Sequence, residues 1–240
     1  MDVILKAKAN DFIEALTGRR LSKNINYVDN SRFQLIQKYK IDTVIDVGAN
    51  QGQWAKPLVK KFPLVSVHSF EPLEQVFISL EIDSREYPNW MVHNLGVGSK
   101  SQRSLMNVAS NSGLSSSFLE PSNHSVVHPD ILFEKSSTEI QIIALDDFDA
   151  FGARSLLKID TGGYESSVLD GLETKLDLIS VIEIESSFTP MYEGESSHHK
   201  IIMRLEDAGY VPYSFGNVHR DVDGRVWQLD TILVKRDLLG

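Results

Sequence analysis

Two carboxylates, Asp46 and Glu71, stand 25 residues apart at the ends of consecutive apolar runs. Asp46 belongs to Ile45-Asp46-Val47-Gly48-Ala49-Asn50-Gln51-Gly52, in which two glycines lie four positions apart. Glycine lets the backbone turn sharply and lets a ligand come close to it. Glu71 lies in Phe70-Glu71-Pro72, where a carboxylate after a strand can accept both ribose hydroxyls of a nucleoside. Gly48, Asn50, Gly52 and Glu71 therefore outline a nucleoside-binding edge.

Nicotinamide dinucleotides and S-adenosylmethionine compete for such an edge. Pyrophosphate favours three glycines spaced G-x-G-x-x-G, with amide donors free for an anion at a helix start. Here Asn50 takes the middle position, and Asp46 adds a negative charge that would repel pyrophosphate. The same charge suits the cationic methionine end of S-adenosylmethionine, whose amino group needs an acceptor. A dinucleotide-dependent oxidoreductase stays open as an alternative, as does a pair of glycines that merely end a strand. Asn94 and Leu95 fall where this architecture places groups near an adenine ring.

The elements that must position these groups alternate. Helical spacing of apolar residues predicts a helix over 2–17 and a second through Phe33 and Tyr39, with capping oxygens at Asp29, Asn30 and Ser31. Residues 1–40 then form a helical cover over a domain spanning 41–240. Strands are expected at 43–47, 64–70, 90–97, 156–159 and 178–184, with helices at 53–61, 73–83, 164–172 and 198–208. A closing hairpin is expected from 210–215 and 226–234. Such alternation argues for an α/β fold with helices on both faces of a parallel sheet. Residues 101–145 break the pattern and read as an insertion, with strands at 105–109 and 139–145 flanking a long polar loop.

Composition narrows the partners. The net charge is −9, with no lysine or arginine run, so a nucleic-acid partner is not expected. Zero cysteines remove disulfides, thiolate nucleophiles and cysteine zinc sites, and suit a reducing compartment. The opening residues lack a signal-peptide core and no stretch of eighteen apolar residues occurs, so a cytoplasmic protein without a membrane span is expected. Oligomeric state is left open.

Four ordered motifs carry a family resemblance: the 45–52 loop, Phe70-Glu71-Pro72, Ser115-Ser116-Ser117, and Leu157-Lys158-Ile159-Asp160-Thr161-Gly162-Gly163-Tyr164-Glu165. Over roughly residues 30–235 the chain resembles the FkbM family of methyltransferases. Lys158, Asp160, Gly163 and Glu165 match that family's Lys-x-Asp-x-x-Gly-x-Glu pattern in register. The resemblance implies a class I methyltransferase, Rossmann-like fold: a seven-stranded, mostly parallel sheet with an antiparallel last strand. It also implies S-adenosylmethionine as donor and methyl transfer to a hydroxyl of a sugar, glycan intermediate or natural product. A scaffold that binds the nucleoside without turnover is the competing class.

Methyl transfer to oxygen is an in-line displacement that needs alignment and a group to take the hydroxyl proton. Asp160, at a strand end before a glycine turn, is the first candidate, with a second role at the donor site; it or Thr161 can equally cap the following helix. Lys158, Glu183 and His124 complete the catalytic candidates, while His128, His198 and His199 are weaker. Asp160, Glu183 and Glu185 offer hard oxygens to a divalent metal, although no motif demands one. Ser116 and Tyr192 are candidates for binding the acceptor, and Trp54, Phe118, Phe133 and Trp227 for stacking on a sugar.

Overall fold

The computed structural model describes residues 27–123, 127–134, 137–221 and 223–240. The helix expected over 2–17 lies outside the described residues. Helix α1 (Tyr27–Tyr39) starts earlier than expected, so positions 29–31 lie within it instead of ahead of it. Its Leu35, Ile36 and Tyr39 belong to the main core, and Ser31 donates a 3.2 Å hydrogen bond to Ser214.

Five-residue aliphatic runs become the central strands because both of their faces are covered. All five residues of β1 (Thr43–Val47) are buried. Helix α2 (Ala55–Lys61), β2 (Ser66–Phe70), α3 (Glu74–Ser84) and β3 (Trp90–His93) follow. After the insertion come β7 (Ser155–Ile159), α4 (Glu165–Asp170), β8 (Ile179–Ser187), α5 (His198–Asp207), β9 (Tyr210–Arg220) and β10 (Val226–Lys235). The sheet has seven strands in the order β3-β2-β1-β7-β8-β10-β9. β1, β2, β3, β7 and β8 pair in parallel, and β10 runs antiparallel to both β8 and β9. The last strand is thus the one reversed strand, as expected.

Alternation divides the core between the two faces. Val44, Val67, Leu156 and Val181 pack with α1 and α2, whereas Ile45, Leu157, Ile182 and Leu233 pack with α4 and α5. Strand order reverses between β1 and β7, so their carboxyl ends open a crevice there.

The strand expected over 90–97 is two elements. β4 (Gly96–Val97) leaves the main sheet after Asn94 and Leu95 and pairs with β6 (Thr138–Ile143), which pairs antiparallel with β5 (Gln102–Met106). This second sheet, ordered β4-β6-β5, is the frame of the insertion. Beyond β5 the chain continues as single bridges, Asn107 to Ser117 and Ala109 to Phe133, so β5 ends before the 109 boundary expected.

Candidate active site

The loop after β1 is shaped by backbone demands. Gly48 has φ +80°, and a β-carbon there would lie 1.8 Å from the carbonyl oxygen of Asp160. Only glycine lets the β1 and β7 turns approach so closely. Asn50 adopts φ +47°, a conformation that asparagine tolerates better than most residues. Its N–H donates to Glu71 Oε2 at 2.9 Å, and its side-chain amide donates to the Ser112 carbonyl at 3.1 Å. Asn50 thereby ties the glycine loop to the insertion.

Glu71 is buried at the mouth of β2, and its Oε1 accepts the Leu73 N–H at 2.9 Å. Burial pushes its carboxyl up to about 7, against the pull of these two N–H donors. An open cleft of about 620 Å³ begins at Gly48, Asn50 and Glu71. Leu95, Gly96 and Val97 form one apolar wall, and Met106, Phe118 and Ser116 of the insertion form another. A carboxylate beside a glycine turn, facing aliphatic walls, fits a nucleoside with its ribose at Glu71 and its base against Leu95 and Val97.

A polar row crosses the sheet beside this cleft. Ser69, Asp46, Lys158 and Glu183 are register partners on four neighbouring strands, all on the face that packs against α1 and α2. Trp90 Nε1 donates to Ser69 Oγ at 2.9 Å, and Ser69 donates to Asp46 Oδ2 at 2.8 Å. Lys158 Nζ lies 3.6 Å from Asp46, 3.3 Å from Asp160, and donates to the Gly48 carbonyl at 3.0 Å. Burial opposes its charge, but the Asp160 and Asp46 carboxylates outweigh burial and hold the ammonium above its ordinary range. Burial likewise raises Asp46, with Lys158 and Ser69 opposing it.

The turn after β7 presents Asp160. Glu165 Oε1 accepts the Thr161 and Gly163 N–H groups at 3.0 and 3.1 Å and the Thr161 hydroxyl at 3.1 Å. These bonds fold residues 160–163 around a buried carboxyl that burial pushes up to about 7. Ser117 donates to the Gly162 carbonyl at 2.6 Å, bracing the turn from the insertion.

A second open cleft of about 740 Å³ adjoins the first. Gln53 and Asp160 line both. Its other walls come from Trp54, Lys158, Glu183, Glu185, Asn217 and Asp230, with Arg32 reaching in from α1. Arg32 grips Glu183 through Nε at 2.7 Å and Nη2 at 2.5 Å and lies 4.4 Å over the Trp54 ring, whose Nε1 donates to the same carboxylate at 2.9 Å. Burial, followed by the neighbouring Asp160 and Asp230 charges, raises Glu185 well above the ordinary range. Burial and then Glu183 push Asp230 up to about 7.

Several expected roles change under this geometry. Asp46 is fully buried and lines neither cleft, so its carboxylate reaches a ligand only through Lys158. Gly52 serves packing instead of ligand approach, because a β-carbon there would meet the Trp90 ring at 2.5 Å. Asn94 braces the Glu71-Pro72 turn by donating to both carbonyls, at 2.9 and 3.0 Å, and it is Leu95 that lines the cleft. Tyr192 is buried; its hydroxyl donates to the Ser115 carbonyl at 2.8 Å and it lines neither cleft. Ser116 does line the first cleft, while its hydroxyl accepts the Ala109 N–H at 3.0 Å.

Glu183 is committed to Arg32 and Trp54, which removes it from the metal-ligand set and from the bases. Among the described residues no three His, Asp or Glu side chains are arranged to hold a metal ion. His124 lies outside the described residues, and neither cleft is lined by a histidine among those described. His198 instead meets Ser186 Oγ at 2.8 Å and packs on Phe188. Of the stacking candidates, Trp54 lines the second cleft, Phe118 lines the first, and Trp227 is held by Asp221 at 3.0 Å.

Sequence reasoning did not single out Arg32, Gln53, Asn217 or Asp230. Asp230 carried a signal, an acid embedded in the apolar run of β10. Arg32 carried none, since an arginine in a polar helix is ordinary.

No curated protein matches the chain in sequence. Among solved structures, magnesium protoporphyrin IX methyltransferase from Synechocystis PCC 6803 with bound S-adenosylmethionine is 12% identical, with 96% of each chain covered and a TM-score of 0.50. Precorrin-6y C5,15-methyltransferase from Geobacter metallireducens GS-15 is 13% identical over 89% of this chain and 91% of the other, with a TM-score of 0.47. The first of these likenesses supports the fold. No helix among the described residues is long and apolar enough to cross a membrane. The family model described as a methyltransferase FkbM domain matches residues 46–212, more than half of the sequence, and the chain belongs to the FkbM family of S-adenosylmethionine-dependent methyltransferases.

Proposed function

We propose that the chain methylates a hydroxyl oxygen on a sugar, a glycan intermediate or a natural product, in the cytoplasm. The observation that carries this reading is the junction of the two clefts, where Gln53 and Asp160 line both. One cleft has the walls of a nucleoside site; the other has carboxylates, an amide and an indole edge suited to a polyhydroxylated acceptor.

Bound S-adenosylmethionine supplies an electrophilic methyl carried on a sulfonium. Glu71 takes the ribose hydroxyls, and the Gly48 turn and Asn50 set the depth of the donor. Asp160 orients the acceptor hydroxyl where the clefts meet, with Lys158 fixing both Asp160 and the Gly48 carbonyl at one distance from each other. The net charge of −9 and the acidic second cleft support a small-molecule or glycan acceptor over a nucleic acid.

The test is product mass. Purified chain with labelled donor is offered methyl glycosides, nucleotide sugars and glycan intermediates; one methyl on an oxygen of one of these is expected. Calorimetric binding of the donor with no methylated hydroxyl in any of them would overturn the proposal.

A further inference from the structure

Once the second cleft is taken as the acceptor site, its carboxylates are not equivalent. Glu183 is held by Nε and Nη2 of Arg32 and by Trp54. Asp160 faces the Lys158 ammonium at 3.3 Å. Glu185 meets Gln228 Nε2 at 3.3 Å and His219 Nε2 at 3.7 Å. Asp230, which lines the same cleft, differs in its partners: its cross-strand neighbour is the carboxylate Glu185, and its hydrogen bond comes from the neutral amide of Asn217.

The backbone is bent to make that last contact. Pairing of β9 with β10 shifts register between Gln228 and Asp230, and Asn217 stands at this irregularity with φ +44°. Bulges of this kind re-aim side chains and are common beside active sites. A left-handed asparagine is a local cost, and here it delivers an amide to one carboxylate of the cleft.

We propose that Asp230 is the group that accepts the proton of the acceptor hydroxyl, with Asn217 as its positioning residue. The assignment rests on the hydroxyl-acceptor reading above. The acceptor oxygen gives its proton to the Asp230 carboxylate and forms the new bond to the methyl carbon. The carbon–sulfur bond breaks with its electron pair kept by sulfur, which becomes a neutral thioether.

The charged groups around Asp230 are Glu183 and Glu185 from β8, Lys158 and Asp160 from β7 and its turn, His219 from β9 and Arg32 from α1. Burial and the neighbouring carboxylates hold Asp230 near 7, so it is largely protonated in acid and becomes a competent base above neutrality. Turnover is therefore low at acid pH and rises through about 7. The Asn217 bond favours the anion, so its loss moves that rise to higher pH.

The experiment uses the full chain, labelled donor and the glycoside and nucleotide-sugar probes above. Asp230→Asn keeps an acceptor for the Asn217 amide and removes a charge from an acidic cluster, so an unchanged melting temperature is expected. Its kcat is expected to fall about 100-fold or more, with loss of the rise near neutrality, while affinity for S-adenosylhomocysteine stays at the wild-type value. Asn217→Ala is expected to keep turnover within about tenfold of wild type and to shift the rise to higher pH. Wild-type kcat and pH profile in folded Asp230→Asn would overturn the proposal alone. A wild-type chain that methylates none of the hydroxyl probes would overturn the hydroxyl reading and the base assignment together, and wild-type turnover tells the two failures apart.

Discussion

The two clefts are built by different means. The first cleft, proposed for the donor, is shaped by backbone: glycine at φ +80°, asparagine at φ +47°, and turns that follow directly from β1, β2, β3 and β7. The second cleft is made by side chains that converge from distant segments, Arg32 before β1, Trp54 after it, Glu183 and Glu185 on β8, and Asn217 and Asp230 on the last hairpin. The lining of the donor cleft lies wholly within the family match at residues 46–212, whereas Arg32, Asn217 and Asp230 lie outside it. A shared donor needs a shared backbone cradle. An acceptor can be changed by replacing side chains on the segments around that cradle.

Gly48→Val attacks the backbone side of this contrast. Its β-carbon would be driven into the Asp160 carbonyl at 1.8 Å from a left-handed conformation. A cost above about 5 kcal/mol is expected, because neither strand end can retreat without breaking sheet pairing. Urea denaturation and donor calorimetry should show an unfolded or non-binding chain; a wild-type midpoint with intact binding contradicts the cradle. Glu183→Ala attacks the side-chain region by removing the buried carboxylate that Arg32 and Trp54 share. A loss of about 3–5 kcal/mol is expected. Replacing both, as Arg32→Met with Glu183→Leu, should return most of it. Donor affinity in the folded double variant should match wild type, and a weakened donor would show that the clefts are not separable.

The same contrast explains what the sequence made legible. Periodicity located β1, β2, β7 and β10 to within two residues, but it ended the first strand of the closing hairpin at 215, five residues short of Arg220. It joined β3 to β4, since Asn94 and Leu95 do not break an apolar run although Gly96 and Val97 pair with Ile142 and Ile143. That Gly48, Asn50 and Glu71 share one cleft was readable, because they lie close together in the chain at the ends of neighbouring strands. The fate of Asp46 was not readable, because whether a strand-end acid faces a ligand or a lysine depends on the partner at its register position, here Lys158. Glu183 was misjudged for a similar reason: its partner, Arg32, is 151 residues away.

Glu71 tests the donor cleft through pH. Its folded-state pKa is raised from 4.5 to about 7 by burial. Its stabilising contribution is therefore complete below 4.5 and is lost as pH rises through about 7. Ribose hydroxyls bind the anion, so affinity for S-adenosylhomocysteine should rise between about pH 6 and about pH 8 as that anion forms. Glu71→Gln should weaken binding about 10–100-fold at about pH 8 and flatten the pH dependence. Calorimetry at both pH values decides the point, and an unchanged slope in the variant would place the ribose elsewhere.

Tyr192→Phe gives the smallest effect and the sharpest line between support and contact. The phenol donates to the Ser115 carbonyl, and the ring packs against Gly163, where a β-carbon would come within 3.0 Å of it. Removing the hydroxyl leaves the ring in place and deletes its bond to the Ser115 carbonyl, at a cost of about 1 kcal/mol. The Ser115 carbonyl belongs to the serine segment that braces the Asp160 turn through Ser117 and Gly162. A small loss of stability with unchanged KM for the acceptor is therefore expected, since Tyr192 lines neither cleft. A rise in KM of tenfold or more without loss of stability would return the phenol to the acceptor site and extend that site beneath the insertion.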